Sequence, residues 1–302
     1  MKKTKKNAIR MSRSDMILYT IIGIIMTLLC MIILYPLIFV VSSSFSAGTA
    51  VTAGKVILWP VEPTVQGYKI VFAYKAVWKG YVNTIFITVV ATAINVILTT
   101  LVAYPLSRRK LQGKRFYMTL FMIPMFFSGG LIPSYILISN LGLVGSQWAI
   151  ILSGAISIYN MVIMRTFFQN SIPDELFEAA KIDGITDIGY LLKIVLPLSK
   201  AVFSVIILYY AVAHWNSYFN SMLYLRDREL WPLQLVLRDI LAGASKIDLS
   251  QIEDPELLKA MIGTTDVMKY SLIVISSVPV IIAYPFVQKY FEKGVMIGAV
   301  KG

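Results

Sequence analysis

Nucleophilic, acid–base and metal chemistry lean on histidine and cysteine, and this 302-residue chain has one of each, His214 and Cys30. A lone Cys30 allows no disulfide within the chain and no thiolate metal cluster. A Ser-His-Asp hydrolase would have to draw on His214 inside an apolar stretch, and no serine sits in a Gly-x-Ser-x-Gly elbow. Gly48 and Gly54-Lys55-Val56 are wrongly spaced for a phosphate loop, with no Ser or Thr after the lysine. The chain is therefore expected to carry no cofactor and no metal, and not to hydrolyse ATP itself.

One polar stretch stands out against these absences. Glu178-Ala179-Ala180-Lys181-Ile182-Asp183-Gly184 is a small, charged, Gly-broken insert that leaves through Ile194-Val195-Leu196-Pro197. Ser171 reads as a helix cap with Asp174 three residues on, so a short helix is expected through Leu176 and Ala180. Gly184 ends it by taking a backbone conformation other residues avoid. A second short helix is expected from near Thr186 to Pro197. Two short helices at an angle make a compact protrusion, with Ala179 and Ala180 small enough for close approach and Glu178 and Asp183 offering charge to a partner.

The elements that carry this insert are hydrophobic. Composition is 57% hydrophobic and 15% charged, with a mean hydropathy of +0.72, well on the apolar side of soluble domains. Runs of about 20 apolar residues match the roughly 30 Å hydrocarbon layer. Six spans are read at 16–41, 81–106, 116–138, 147–168, 198–225 and 267–287, all helices, because open strands would leave backbone groups unpaired in lipid. The third, with Pro124, Ser128-Gly129-Gly130 and Pro133, is expected to be kinked or locally unwound. The chain then divides into a basic arm at 1–15, a first helix at 16–41, a core at 81–287 holding the 171–197 insert and an outer loop at 226–266, and a tail at 288–302. In that loop eight acids face five bases, and Asp254-Pro255-Glu256 reads as a helix start.

Orientation follows from the basic residues, which are retained on the cytoplasmic side of short loops. The arm, the 107–115 loop, the insert and the tail together hold 16 Lys and Arg, and the other side 9. Both termini and the insert are expected in the cytoplasm. The same asymmetry explains the net charge of +12 without a nucleic-acid partner, the arm's lysines lying against anionic lipid headgroups. The first span is too long, and lacks a cleavage site, for a removed signal peptide.

Glu178, Ala179, Ala180, Gly184, Ile194, Leu196 and Pro197 fit without a gap the Glu-Ala-Ala, three residues, Gly, nine residues, Ile, one residue, Leu-Pro signature. The chain thereby resembles the permease subunits of binding-protein-dependent ABC importers. Tyr104-Pro105-Leu106-Ser107, Ile132-Pro133 before Leu141-Gly142-Leu143, Trp215-Asn216 and the ending Gly298-Ala299-Val300-Lys301-Gly302 resemble the carbohydrate-uptake branch, close to the smaller maltose-type permease. Residues 241–260 are longer than in that type. The resemblance implies a type I importer architecture in the cell membrane and insertion of the Glu178–Pro197 element into an ATPase subunit. It implies as partners a second, different permease, a cytoplasmic ATPase dimer binding ATP and Mg, and an extracytoplasmic solute-binding protein.

Two polar stripes bear on what would be carried. At about 100° per residue, Thr84, Thr88, Thr92, Asn95 and Thr99 share one helix face. Such residues either glue helices together or line a passage. In the fifth span His214, Asn216, Ser217, Asn220 and Ser221 occupy one wedge, with Trp215, Tyr218, Phe219 and Met222 opposite. Amides, hydroxyls and aromatics suit a sugar, and the spans are read as lacking the buried Asp, Glu or Arg that an ionic substrate or ion coupling would need. Thr88, Thr92, Asn95, His214, Asn216 and Asn220 are the expected pathway residues. Another neutral solute, a polyol or a glycerol-phosphate diester, is the alternative. A secondary transporter or a membrane protease would each leave the insert unexplained.

Overall fold

The computed structural model describes residues 12–244 and 255–299; the expected basic arm up to residue 11, residues 245–254 of the outer loop and the last three residues lie outside the described residues. Among the described residues every regular element is helical. The chain divides into two compact units, residues 1–71 with 248–274 and residues 72–247 with 275–302.

In the first unit, helix α1 (Arg13–Ser44) is long and apolar enough to cross a membrane from Ser14 to Ser44. Its side chains are exposed along nearly the whole length, from Met16 to Leu37, as expected of a surface that meets lipid or another apolar chain. Only its end is tied down: Ser42 Oγ donates to the Leu58 carbonyl at 2.6 Å, Ser46 Oγ to the Ser42 carbonyl at 2.7 Å, and the Ser44 and Tyr68 hydroxyls lie 2.8 Å apart. Helix α2 (Gly48–Thr52) and helix α3 (Gln66–Ala73) follow. A Cβ on Gly48 would come within 2.8 Å of Gly263 Cα, so both positions need glycine for the backbones to touch.

The second unit is organised by helix α4 (Lys75–Ser107), an unbroken 33-residue helix matching the expected second span. Helix α5 (Lys114–Phe126) and helix α6 (Leu131–Asn140) meet at 114° across the Ser128-Gly129-Gly130 break, so the third span is interrupted as its sequence indicated. Gly130 takes φ +86°, which glycine permits.

The expected fourth span is not one helix. Helix α7 (Trp148–Leu152) and helix α8 (Ile158–Ser171) are separated by Ser153–Ser157, with Gly154 at φ +75° and Ser157 accepting from the Asn160 N–H as a cap. Helices α9 (Asp174–Ile182) and α10 (Asp187–Tyr190) form the insert. A π-turn at Leu191–Val195 and helix α11 (Leu196–Leu198) complete it. Pro197 has no N–H to give the Lys193 carbonyl, and the ladder widens so that the Leu196 N–H reaches Leu191 instead.

The fifth span is also broken, into helix α12 (Lys200–Trp215) and helix α13 (Phe219–Tyr224). Beyond it, helix α14 (Leu233–Ala244) lies within the expected outer loop. Its first N–H, from Leu233, is received by Thr84 Oγ1 of α4 at 2.8 Å, so a neighbouring helix supplies the cap. Helix α15 (Pro255–Ala299) begins where Asp254-Pro255 indicated and contains the expected sixth span, being long and apolar enough to cross a membrane from Gly263 to Pro285. Pro279 cannot bond the Ile275 carbonyl, which instead accepts from the Tyr81 hydroxyl at 2.5 Å, while Trp215 Nε1 donates to Ser276 at 3.1 Å.

Candidate functional site

The insert leaves the membrane helices sharply, α10 and α11 standing at 84° to α12. Its N-terminal boundary differs from expectation. Ser171 is the last residue of α8, and Pro173 rather than Ser171 is the cap of α9, because Pro173 fixes the extended backbone that precedes the first turn. Asp174 and Glu175 in the first turn and Lys181 in the last suit the helix dipole. The turn itself is as read: Gly184 takes φ +74°, its N–H bonds Lys181 at 3.1 Å, and the Ile185 N–H bonds Ala180 at 2.9 Å. Thr186 caps α10 by accepting from the Gly189 N–H at 3.1 Å.

Burial sorts the signature residues into two groups. Ala180 is buried in the chain's own core with Phe168, Tyr190 and Val195, and Ile194 and Leu196 pack against that core. Ala180 therefore does not offer itself to a partner, contrary to the sequence reading; its small size lets α9 settle on its own support. Glu178, Ala179, Asp183, Gly184 and Pro197 are exposed. Glu178 lies 3.4 Å from Lys110, an open pair worth little by itself. Two residues outside the signature are the most exposed apolar side chains of the insert: Ile182 is 88% exposed and Ile188 71%, one on each side of the glycine turn. An isoleucine flanking a charged turn was the available signal.

The α4 stripe is real and inward. Thr84, Thr92, Asn95 and Thr99 are buried, with Thr88 half-buried. Asn95 Nδ2 donates to His214 Nε2 at 2.9 Å. Tyr210 OH accepts from the Ser157 N–H at 2.9 Å and is hydrogen-bonded to Thr99 Oγ1 at 2.7 Å, pinning the break between α7 and α8 to α4. Thr84, Asn95 and Thr99 thus join helices. Thr88 Oγ1, Thr92 Oγ1 and Asn95 Oδ1 are buried without a partner, an arrangement that costs stability unless water or a ligand reaches them.

The wedge of the fifth span does not survive as drawn. A helical wheel requires continuous helix, and α12 ends at Trp215. The Asn216 side chain folds back onto the Val212 carbonyl at 3.0 Å, and Asn216 and Asn220 flank a break across which the wheel that grouped them with His214 does not hold. The spans also contain an arginine: Arg165 of α8, inside 147–168, donates through Nε to the Leu106 carbonyl at 3.1 Å, serving the end of α4.

Three long apolar helices and two sharply bent apolar pairs, one of them carrying the Gly-turned insert, are the architecture of a multi-pass membrane protein. Residues 95–297 match the family described as binding-protein-dependent transport system inner membrane component, and the chain belongs to that family, as a multi-pass protein of the cell membrane. It is 40% identical over 288 residues, 95% of this chain and 98% of the other, to the polygalacturonan/rhamnogalacturonan transport system permease protein YtcP of Bacillus subtilis. It is 28% identical over 290 residues, 92% of this chain and 94% of the other, to the galactooligosaccharides transport system permease protein GanQ of the same organism. A crystal structure of a bacterial ABC transporter involved in the import of the acidic polysaccharide alginate has a chain that aligns with a TM-score of 0.84 and 34% identity, over 94% of this chain and 100% of that one.

Proposed function

We propose that this chain is one transmembrane subunit of an ATP-driven importer that moves an oligosaccharide into the cytoplasm by alternating access. An extracytoplasmic binding protein delivers the sugar, a second and different permease completes the passage, and a cytoplasmic ATPase dimer supplied with ATP and Mg drives it. The observation that carries this reading is the α9–α10 insert. Its glycine turn joins two short helices that leave Ile182, Ile188, Glu178 and Asp183 exposed, as docking into an ATPase cleft requires. The relatives named for polygalacturonan and for the acidic polysaccharide alginate favour an oligosaccharide containing uronic acids over the neutral sugar expected from the sequence, and over a polyol or a glycerol-phosphate diester. The test is uptake by cells with and without the gene: labelled oligogalacturonides should enter only with it and be displaced by the unlabelled compound. Unchanged entry after deletion would contradict the reading.

Six crossings with both termini inside are part of the same proposal, the broken pairs each completing one span. Exposed Cys30 is first replaced by alanine. A cysteine at Lys55 should then react with an impermeant maleimide from outside, and one at Lys110 only after permeabilisation. The reverse pattern would invert the topology.

The orphaned hydroxyls of α4 give a sharp test of the pathway. Replacing a buried, unpartnered threonine by valine keeps the shape and is neutral or stabilising where packing alone is at stake. If Thr88 and Thr92 meet the passing sugar, Thr88→Val with Thr92→Val should lower uptake severalfold while expression and basal ATP hydrolysis hold. Uptake at the wild-type rate would assign both residues to packing.

A further inference from the structure

We propose that Arg108 is the joint through which movement of the insert reaches α4, a positioning role that rests on the coupling reading above. Arg108 directly follows α4, and its guanidinium carbon lies 4.8 Å from the ring centre of Tyr104 in the last turn of that helix. It also lies 5.3 Å from the ring of Phe177 in α9 and 5.1 Å from that of Tyr190 in α10. The last two rings meet edge to face at 5.1 Å. One cation is thus held by an aromatic ring from each of the three elements that must move together: the long helix and both halves of the insert.

The chemistry of the contact suits transmission. Arg108 Nε and Nη2 are buried and make no hydrogen bond, so the guanidinium is held by ring faces. A hydrogen bond is lost when its partners shear by an ångström or so, whereas a planar cation on an aromatic face keeps its attraction while it slides. The directional links nearby sit at the rim: the Tyr104 hydroxyl donates to the Asp187 carbonyl at 3.2 Å, and Arg109 meets Asp174 at 2.9 Å with its side chain 85% exposed. Tyr190 is fully buried and Phe177 packs on the same core, so the insert cannot tilt without carrying the cage. Helix α4 then runs unbroken for 33 residues, about 50 Å at 1.5 Å per residue, past Asn95 and the orphaned threonines to Lys75.

The test uses the assembled complex of this chain with its partner permease and ATPase, on a Cys30→Ala background. Single spin labels are placed at Glu175→Cys on the insert and at Lys75→Cys at the far end of α4, both exposed positions. In the otherwise wild-type complex, vanadate-trapped ATP should alter the mobility of both labels. In Arg108→Met the insert label should still respond and the Lys75 label should not, and sugar taken up per ATP hydrolysed should fall at least tenfold. Wild-type responses at both labels in Arg108→Met would overturn the joint, as would loss of the response at both, which would make Arg108 a support for docking alone. If Arg108→Met fails to assemble, Arg108→Lys carries the test, because lysine keeps the charge and loses the planar stack. Its uptake per ATP should fall at least threefold, and a wild-type ratio would overturn the proposal. An insert label that ignores nucleotide even in the wild-type complex would overturn the coupling reading itself, and the joint with it.

Discussion

Gly184→Val is expected to abolish uptake while leaving membrane insertion intact. Gly184 holds φ +74° with open space around the position of a Cβ, so the strain is in the backbone and not in a clash. The left-handed region costs an ordinary residue about 1–2 kcal/mol, and a β-branched one more. The turn escapes that strain by giving up the Gly184 and Ile185 N–H bonds to Lys181 and Ala180, and Ile185 then leaves the core on which the insert rests. The tip is misaimed although no membrane helix is touched. Gly184→Asn, which tolerates this conformation, should restore most of the uptake. Uptake below a tenth of wild type for valine and near wild type for asparagine is the expected pair; equal uptake for valine and glycine would show that the turn does not matter.

Ile182→Asp combined with Ile188→Asp is expected to release the ATPase during purification. Burying an isoleucine is worth about 1.5–3 kcal/mol, so losing two such contacts costs about 3–6 kcal/mol. That weakens affinity by on the order of 10² to 10⁴, before the cost of pushing two carboxylates into an apolar cleft. Both side chains are exposed in this chain, so its own folding should be unaffected. Quantitative co-purification of the ATPase with the doubly substituted chain would show that the tip is not the contact.

Much of this was legible in the sequence because the signals are local or periodic. Apolar runs matched to bilayer thickness located the three helices long and apolar enough to cross a membrane, and Gly184, Thr186 and Pro197 marked where the insert turns, restarts and ends. The α4 stripe was legible because α4 is continuous, so a helical wheel holds from Thr84 to Thr99. The same wheel misled at 214–221, where the chain breaks after Trp215 and Asn216 bonds back to Val212. Direction was also hidden. Nothing local says that Ala180 faces inward while Ile182, two residues on, faces out; that depends on where Tyr190 and Phe168 lie. The Arg108 cage was beyond reach for the same reason, since its three rings are at positions 104, 177 and 190 and only the fold brings them together.

The most direct measurement of the central claim is ATP hydrolysis and sugar accumulation by this chain reconstituted in proteoliposomes with its partner permease and ATPase. Adding sugar-loaded binding protein outside should raise hydrolysis severalfold and fill the vesicles with sugar, and Gly184→Val should remove both effects. Hydrolysis indifferent to loaded binding protein, with no sugar retained by wild-type vesicles, would contradict the account.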